Sequence, residues 1–234
     1  MRNLIREMSL ASPLWGAPRI HGELMMLGIN IAQSIVAKYM MKQRRPPSQT
    51  WKTFLHNHAD GIASVDFLIV PTIGFKLLFA FVILGHRRRK LLHIGVTDHP
   101  TAEWAARQII EPFPWNDTPQ HFIRNNDAIS GMTFKKQLSA MRIRDGPTAL
   151  RNPWQNGFVE RLIGSIKREC LDHMIIRDKL HLRRILKADA QYYNCTRTHL
   201  GLNKDAPFSR SIQACGCIKA ISHLGGLHHE YVRI

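Results

Sequence analysis

Three apolar runs joined by short turns, with a single carboxylate inside the first, constrain this 234-residue chain more than any other feature. Residues 62–70, 75–84 and 91–97 are rich in Val, Ile, Leu and Phe, side chains that suit a pleated, buried surface. A basic turn at 85–90 separates the last two runs, so a meander of three antiparallel strands is expected. The stretch 67–85 is apolar enough to suggest a membrane span, but Pro71, Thr72, Gly74 and Lys76 divide it, and two buried strands with a turn fit better. Asp66 lies between Val65 and Phe67. An ionised carboxylate in apolar surroundings is costly unless it is paired or holds a metal, which makes Asp66 a candidate metal ligand. Pairing with a Lys or Arg is the alternative, and the residues leave it open.

After the meander the pattern turns helical. Pro100 opens a segment whose apolar face is Ala102, Ala105, Ala106, Ile109 and Ile110, and Asp98 and Glu103 at its start suit the helix dipole. A short strand at 121–124, a helix at about 133–141 and a second short strand near Ile143 follow. Pro153 starts a long helix reaching about Cys170, and a last one runs over 179–194. Strands and helices in this order describe an α/β fold, a mixed sheet flanked by helices. Ribonuclease H-like folds have this order.

Ahead of the meander, Pro18 suits a first helical turn and Gly28 a helix end, with Ile20, Leu24 and Leu27 at helical spacing between them. A second helix is expected from Gln33, with Ile35, Val36, Tyr39 and Met40 on one face, and Pro46 and Pro47 stop it. The pair fits a small N-terminal helix-turn-helix-like segment presenting Gln33, Ser34, Lys38 and Lys42 to DNA, and equally a helical hairpin that only packs on the core. The expected organisation is a DNA-binding segment at 1–45, a linker at 46–59, a core at 60–195 and a tail at 196–234. His56 and His58 fall in the linker and read as solvated.

Thirty-three Lys and Arg against seventeen Asp and Glu give a net charge of +16. That excess attracts polyanions, nucleic acid above all, but says nothing of catalysis. A hydrophobic fraction of 44% excludes disorder as the default. No signal peptide is evident, because Met1 is followed by polar and charged residues. Cys170, Cys195, Cys215 and Cys217 read as reduced thiols of a cytoplasmic protein. Cys215 and Cys217 stand near His223, His228 and His229, but their one-residue spacing does not suit structural zinc.

The second candidate carboxylate is Glu160. Helical spacing puts it on a face with Asn156, Gly157, Gly164 and Lys167, away from Phe158, Val159, Leu162 and Ile166. Small and basic neighbours would let a phosphodiester backbone approach, whereas a solvated glutamate paired with Lys167 or Arg161 is the simpler reading. At this point a longer string becomes informative. Asn152-Pro153-Trp154-Gln155-Asn156-Gly157-Phe158-Val159-Glu160-Arg161, then Tyr192-Tyr193-Asn194 and Arg197-Thr198-His199, resembles the integrase-core (DDE) transposases of bacterial insertion sequences. Trp15-Gly16-Ala17-Pro18-Arg19-Ile20 resembles the start of that family's helix-turn-helix segment.

The resemblance implies metal-dependent phosphodiester strand transfer, that is, DNA integration and recombination. It implies three carboxylates holding two magnesium (or manganese) ions about 4 Å apart, which activate water or a 3′-hydroxyl. It also implies DNA partners, namely transposon ends and target, and a homo-oligomer. By this resemblance Asp66 is the first carboxylate and Glu160 the last. The second position falls on Asn125, which leaves 34 residues before Glu160, whereas Asp127 leaves 32. An amide carries no charge and magnesium prefers carboxylate oxygen, so impaired catalysis is expected, with Asp127 as a substitute ligand if the loop bends. A non-catalytic DNA-binding remnant or regulator of transposition is the alternative. Lys38, Lys42, Arg44, Arg45, Asn156 and Lys167 are the expected DNA contacts; Trp154 and Gln155 could touch DNA near Glu160, and Trp154 reads equally as core.

Overall fold

The computed structural model describes residues 1–11, 16–40, 51–113, 118–125, 131–149 and 153–234. They form two compact units, 1–50 and 51–234. The first holds three helices, α1 (Arg2–Ala11), α2 (Ala17–Met26) and α3 (Gln33–Tyr39). Pro18 occupies the first turn of α2, and Gly28, at φ 74°, ends it, a backbone conformation that glycine adopts without a steric penalty. Ile5, Ile20, Leu24 and Val36 bury together as a small core. Helix α1, which no Pro or Gly punctuates, was not expected, and it supplies Ile5. Leu27 and Ile35, expected on apolar faces, are exposed. Leu27 caps α2, and with α1 in place Val36 alone of α3 is fully buried.

The second unit begins with α4 (Trp51–Asn57), inside the stretch expected as a linker. Its Trp51 indole donates to the Gln155 carbonyl at 3.2 Å, and Phe54 meets His121 edge-on. His58 is likewise engaged, stacked on Phe54. The sheet follows: β1 (Ile62–Pro71), β2 (Leu77–Gly85), β3 (Lys90–Thr97), β4 (His121–Arg124) and β5 (Arg144–Pro147), in the order β3-β2-β1-β4-β5. The first three are antiparallel, while β4 runs parallel to β1, and β5 parallel to β4. This is the mixed sheet of an RNase H-like fold.

Alternation along β1 sorts the two faces. Ala63 and Val65 point toward α5 (Ala102–Ile110) and α6 (Met132–Ala140), packing with Phe81, Ile109, Phe122 and Phe134. Leu68 and Val70 point toward α7 (Gly157–Glu169) and α8 (Lys179–Cys195), packing with Val82, Val159, Leu162 and Ile166. A strand buried on both sides reads as a continuous apolar run, so Asp66 is conspicuous by sequence. Thr101, rather than Asp98, caps α5 by accepting from the Trp104 amide, and Asp98 instead pairs with Lys179 at 2.8 Å.

The Tyr-Asn and Arg-x-His residues brace α8. Asn194 clamps an edge strand as a backbone would, accepting from the Leu91 amide at 2.9 Å and donating to its carbonyl at 2.8 Å. Arg197 forks onto Glu169 at the end of α7 with bonds of 2.8 and 2.7 Å. Beyond α8 the expected tail contains a hairpin, β6 (Ile218–His223) and β7 (His228–Arg233). It is tied back by Tyr192 stacked on His228 at 4.4 Å and by Arg210 bonded to Glu230 at 2.8 Å. No described helix is long and apolar enough to cross a membrane.

Asp189 on α8 is buried, and burial, with Glu169 adding repulsion, raises its pKa to about 6. The folded state therefore binds this proton more tightly than the unfolded chain. The stability is fully present below the unfolded pKa and is lost as pH rises through about 6. Asp189→Asn is expected to stabilise the chain at pH 8 by on the order of 2 kcal/mol, with little effect at pH 4. Urea melts at the two pH values check this, and an equal effect at both contradicts it.

Candidate active site

The parallel register of β4 on β1 positions the candidate residues. Val65 pairs with Arg124, so the next residue of each strand, Asp66 and Asn125, come side by side where β4 ends. Alternation puts Asp66 on the face that α7 covers. Asp66 is half-buried, and its Oδ1 accepts from the Phe67 amide at 2.8 Å and from Asn125 Nδ2 at 3.2 Å. A carboxylate offers no hydrogen, so the Asn125 amide has to turn its nitrogen toward it. Asn125 Oδ1 then faces away, accepting from Asn156 Nδ2 at 3.4 Å, and that nitrogen also donates to the Val65 carbonyl at 3.0 Å. The result is a continuous chain from Asn156 through Asn125 to Asp66.

Glu160 lies one helical turn beyond Asn156 on α7, half-buried. Among the described residues neither Lys167 nor Arg161 lies within ion-pair distance of it, and it makes no hydrogen bond to Asp66 or Asn125. The expected solvated ion pair is therefore not formed. Asn156, expected to face DNA, is turned inward at 1% exposure, because its amide braces β1 and Asn125. Gln155 is similarly engaged, accepting from the Ala149 amide at 2.7 Å. Lys167 is exposed at the other end of α7, and Lys38 is exposed on α3 in the first unit. Asp127, Lys42, Arg44 and Arg45 lie outside the described residues, as does the side chain of Trp154.

Arg124 was not singled out by sequence, yet it fixes the tip of β4. Its side chain is 2% exposed and forks onto Asp145 of β5 with two bonds of 2.7 Å, while Nη1 donates to the Asn125 carbonyl at 3.1 Å. The guanidinium also lies 5.9 Å from the Phe134 ring. Bidentate charge-assisted bonds of this kind are both strong and directional, and they hold the Asn125 backbone beside Asp66. An arginine inside a four-residue buried strand was the available signal.

The donor set can be set against a magnesium ion, which takes oxygen ligands and favours carboxylates. Asp66 and Glu160 qualify, but Asn125 directs an N–H, not a lone pair, at Asp66. Among the described residues no group of three or more His, Cys, Asp and Glu converges to hold a metal. These residues do not fit a three-carboxylate centre. Cys215 and Cys217 are exposed, and no such group forms around them either.

Residues 141–207 match the family of the integrase core domain. The match covers less than a third of the chain. The matched segment includes Asn156, Glu160 and the brace at Arg197, and the fold brings Asp66 and Asn125 to it from outside. A chain of the simian T-cell lymphotropic virus intasome, solved in complex with PP2A regulatory subunit B56 gamma, is similar in fold. It shows 13% identity and a TM-score of 0.52 over 97% of this chain and 86% of that one. The HTLV-2 integrase catalytic core domain in complex with magnesium matches at 14% identity and a TM-score of 0.48, over 60% of this chain and 89% of that one. The catalytic domain of Mos1 mariner transposase matches at 12% and 0.49, over 63% and 83%. No curated protein matches the chain.

The fork at the tip of β4 gives a direct test. Asp145→Ala strands a buried guanidinium and is expected to cost about 3 kcal/mol, whereas Lys135→Ala on exposed α6 surface stays within about 0.5 kcal/mol. Denaturant melts of both variants measure this, and equal small losses would contradict the role given to Arg124.

Proposed function

We propose that this chain is a transposase- or integrase-like DNA-binding protein whose metal-dependent strand-transfer centre is impaired at Asn125. The observation that carries the reading is the 3.2 Å hydrogen bond from Asn125 to Asp66. With Asp at 125, two carboxylates would stand side by side, an arrangement that repels unless a cation lies between them. With Asn, the amide satisfies Asp66 without any cation. The +16 charge supports DNA as the partner, and the integrase-type core supports transposon ends and target DNA as its form. In this reading Asp66 and Glu160 are the two carboxylates left of a magnesium or manganese set that does not hold the ion without a third, the place Asp127 would take in a functional site. Lys38, Lys42, Arg44, Arg45 and Lys167 contact DNA, and the chain self-associates in the cytoplasm.

A second reading follows from the same hydrogen bond. A chain that binds transposon DNA without joining it acts as a regulator of transposition, occupying ends that an active partner would use. Both readings predict DNA binding; only restoration of the carboxylate separates them from a working enzyme. Nicking and joining of supercoiled plasmid in magnesium is expected near background for the natural chain and at least about tenfold faster for Asn125→Asp, a difference of about 1.4 kcal/mol in barrier. Equal, robust rates for the two chains would overturn the impairment. Failure of either chain to bind DNA would overturn the reading as a whole.

A further inference from the structure

The turn between β2 and β3 carries three consecutive arginines, and they are treated differently. Arg87 pairs with Asp60 at 3.3 Å. Arg88 is held by Asp205 at 2.6 Å and by the carbonyls of Pro207 and Ala206, both at 2.8 Å. Arg89 has neither a carboxylate nor a carbonyl partner for its side chain among the described residues. It is half-buried, and its backbone sits in the left-handed region at φ 55°, a conformation that is uncommon for a long side chain. That conformation aims the guanidinium over the Phe158 ring, 5.3 Å from its centroid. Phe158 is itself backed by His86 at 4.9 Å. On the other side lies Gly201, where an added Cβ would collide with the Arg89 guanidinium.

The guanidinium thus faces a cavity of about 320 Å³ shared by α7, the end of α8 and residues 198–200. Arg161, also without an ion-pair partner among the described residues, and the Ser165 hydroxyl line the same cavity. Arg197 lines it too, but its charge is matched by Glu169. Burial and the adjacent Arg197 lower the pKa of His199 and so disfavour a charge there. Leu84, Leu162 and Leu200 supply apolar walls. A stacked arginine fork with a second arginine and a hydroxyl is donor chemistry suited to a phosphate group.

We propose that this pocket binds a backbone phosphate of DNA, as a contact separate from Asp66 and independent of metal. The inference rests on the reading of the chain as a DNA binder. Arg161 and Ser165 project from a different side of α7 than Glu160 and Asn156, so a strand seated here lies beside the acidic site rather than on it.

The test is fluorescence anisotropy of the full chain with a labelled random-sequence duplex, in EDTA, over a salt series. Arg89→Gly removes the guanidinium and suits the turn's own φ, so folding, checked by a thermal melt, is retained. Gly201→Ala keeps every charge but displaces the guanidinium. Lys135→Ala is the charge control. One lost phosphate contact lowers the slope of log K against log salt by about 0.9. Arg89→Gly is expected to show that drop and a loss of about fivefold or more, Gly201→Ala a loss of at least about threefold, and Lys135→Ala less than either.

If Gly201→Ala binds like the natural chain, or Arg89→Gly loses no more than Lys135→Ala, the charge is diffuse and the pocket is overturned while DNA binding stands. If inorganic phosphate raises the melting temperature of the natural chain but not of Arg89→Gly, and DNA affinity is the same in both, the occupant is a free anion and the DNA assignment is overturned. If the natural chain does not bind the duplex at low salt, both the pocket and the wider reading fall.

Discussion

The parallel pairing of β4 against β1 is the constraint from which the rest of the site follows. A register with Val65 opposite Arg124 leaves Asp66 and Asn125 no option but to be neighbours, and α7 then lays Asn156 over both. The sheet keeps that register because each face is sealed, by α5 and α6 on one side and α7 and α8 on the other. A slip of one residue would send every side chain of β4 to the opposite, differently shaped face. Arg124 and Asp145 add a polar lock at the same edge. Register and lock together hold Asp66 beside Asn125.

The close approach of Asp66 and Asn125 has a physical explanation in the hydrogen-bond chain. Two adjacent carboxylates need a cation, whereas a carboxylate beside an amide needs none, and Asn125 can accept from Asn156 while donating to Asp66. In the proposed reading, an asparagine here turns a site whose integrity would depend on metal into one that is satisfied by protein atoms alone. The backbone around it has no reason to rearrange.

Much of this was legible in the residues. The meander, β4, and the helices α5 to α8 follow from apolar runs and from Pro100 and Pro153. Asp66 stood out because a charge in a doubly buried strand needs a partner. Asn125 became visible only through spacing and resemblance, since an asparagine after a strand carries no signal by itself. The pairing partners of Arg124, Asn194 and Arg197 lie 21, 103 and 28 residues away, and no local pattern encodes contacts of that range. Asn156 was misread for a related reason. Helical spacing gave its side of α7 correctly, but not that β1 would be close enough to bury it. Helix α4 was hidden by the prolines ahead of it, and α1 by the lack of any Pro or Gly to mark its start.

The claim that Asn125 replaces a cation is most directly tested by thermal melts of the natural chain and of Asn125→Asp, each with and without millimolar magnesium. A ligand that binds only the folded state raises stability by RT ln(1 + [L]/Kd), about 2.7 kcal/mol at a hundredfold excess over Kd. The account predicts that Asn125→Asp melts below the natural chain in EDTA and regains the difference with magnesium, while the natural chain is unmoved by the metal. A magnesium shift in the natural chain as large as that in Asn125→Asp would contradict it.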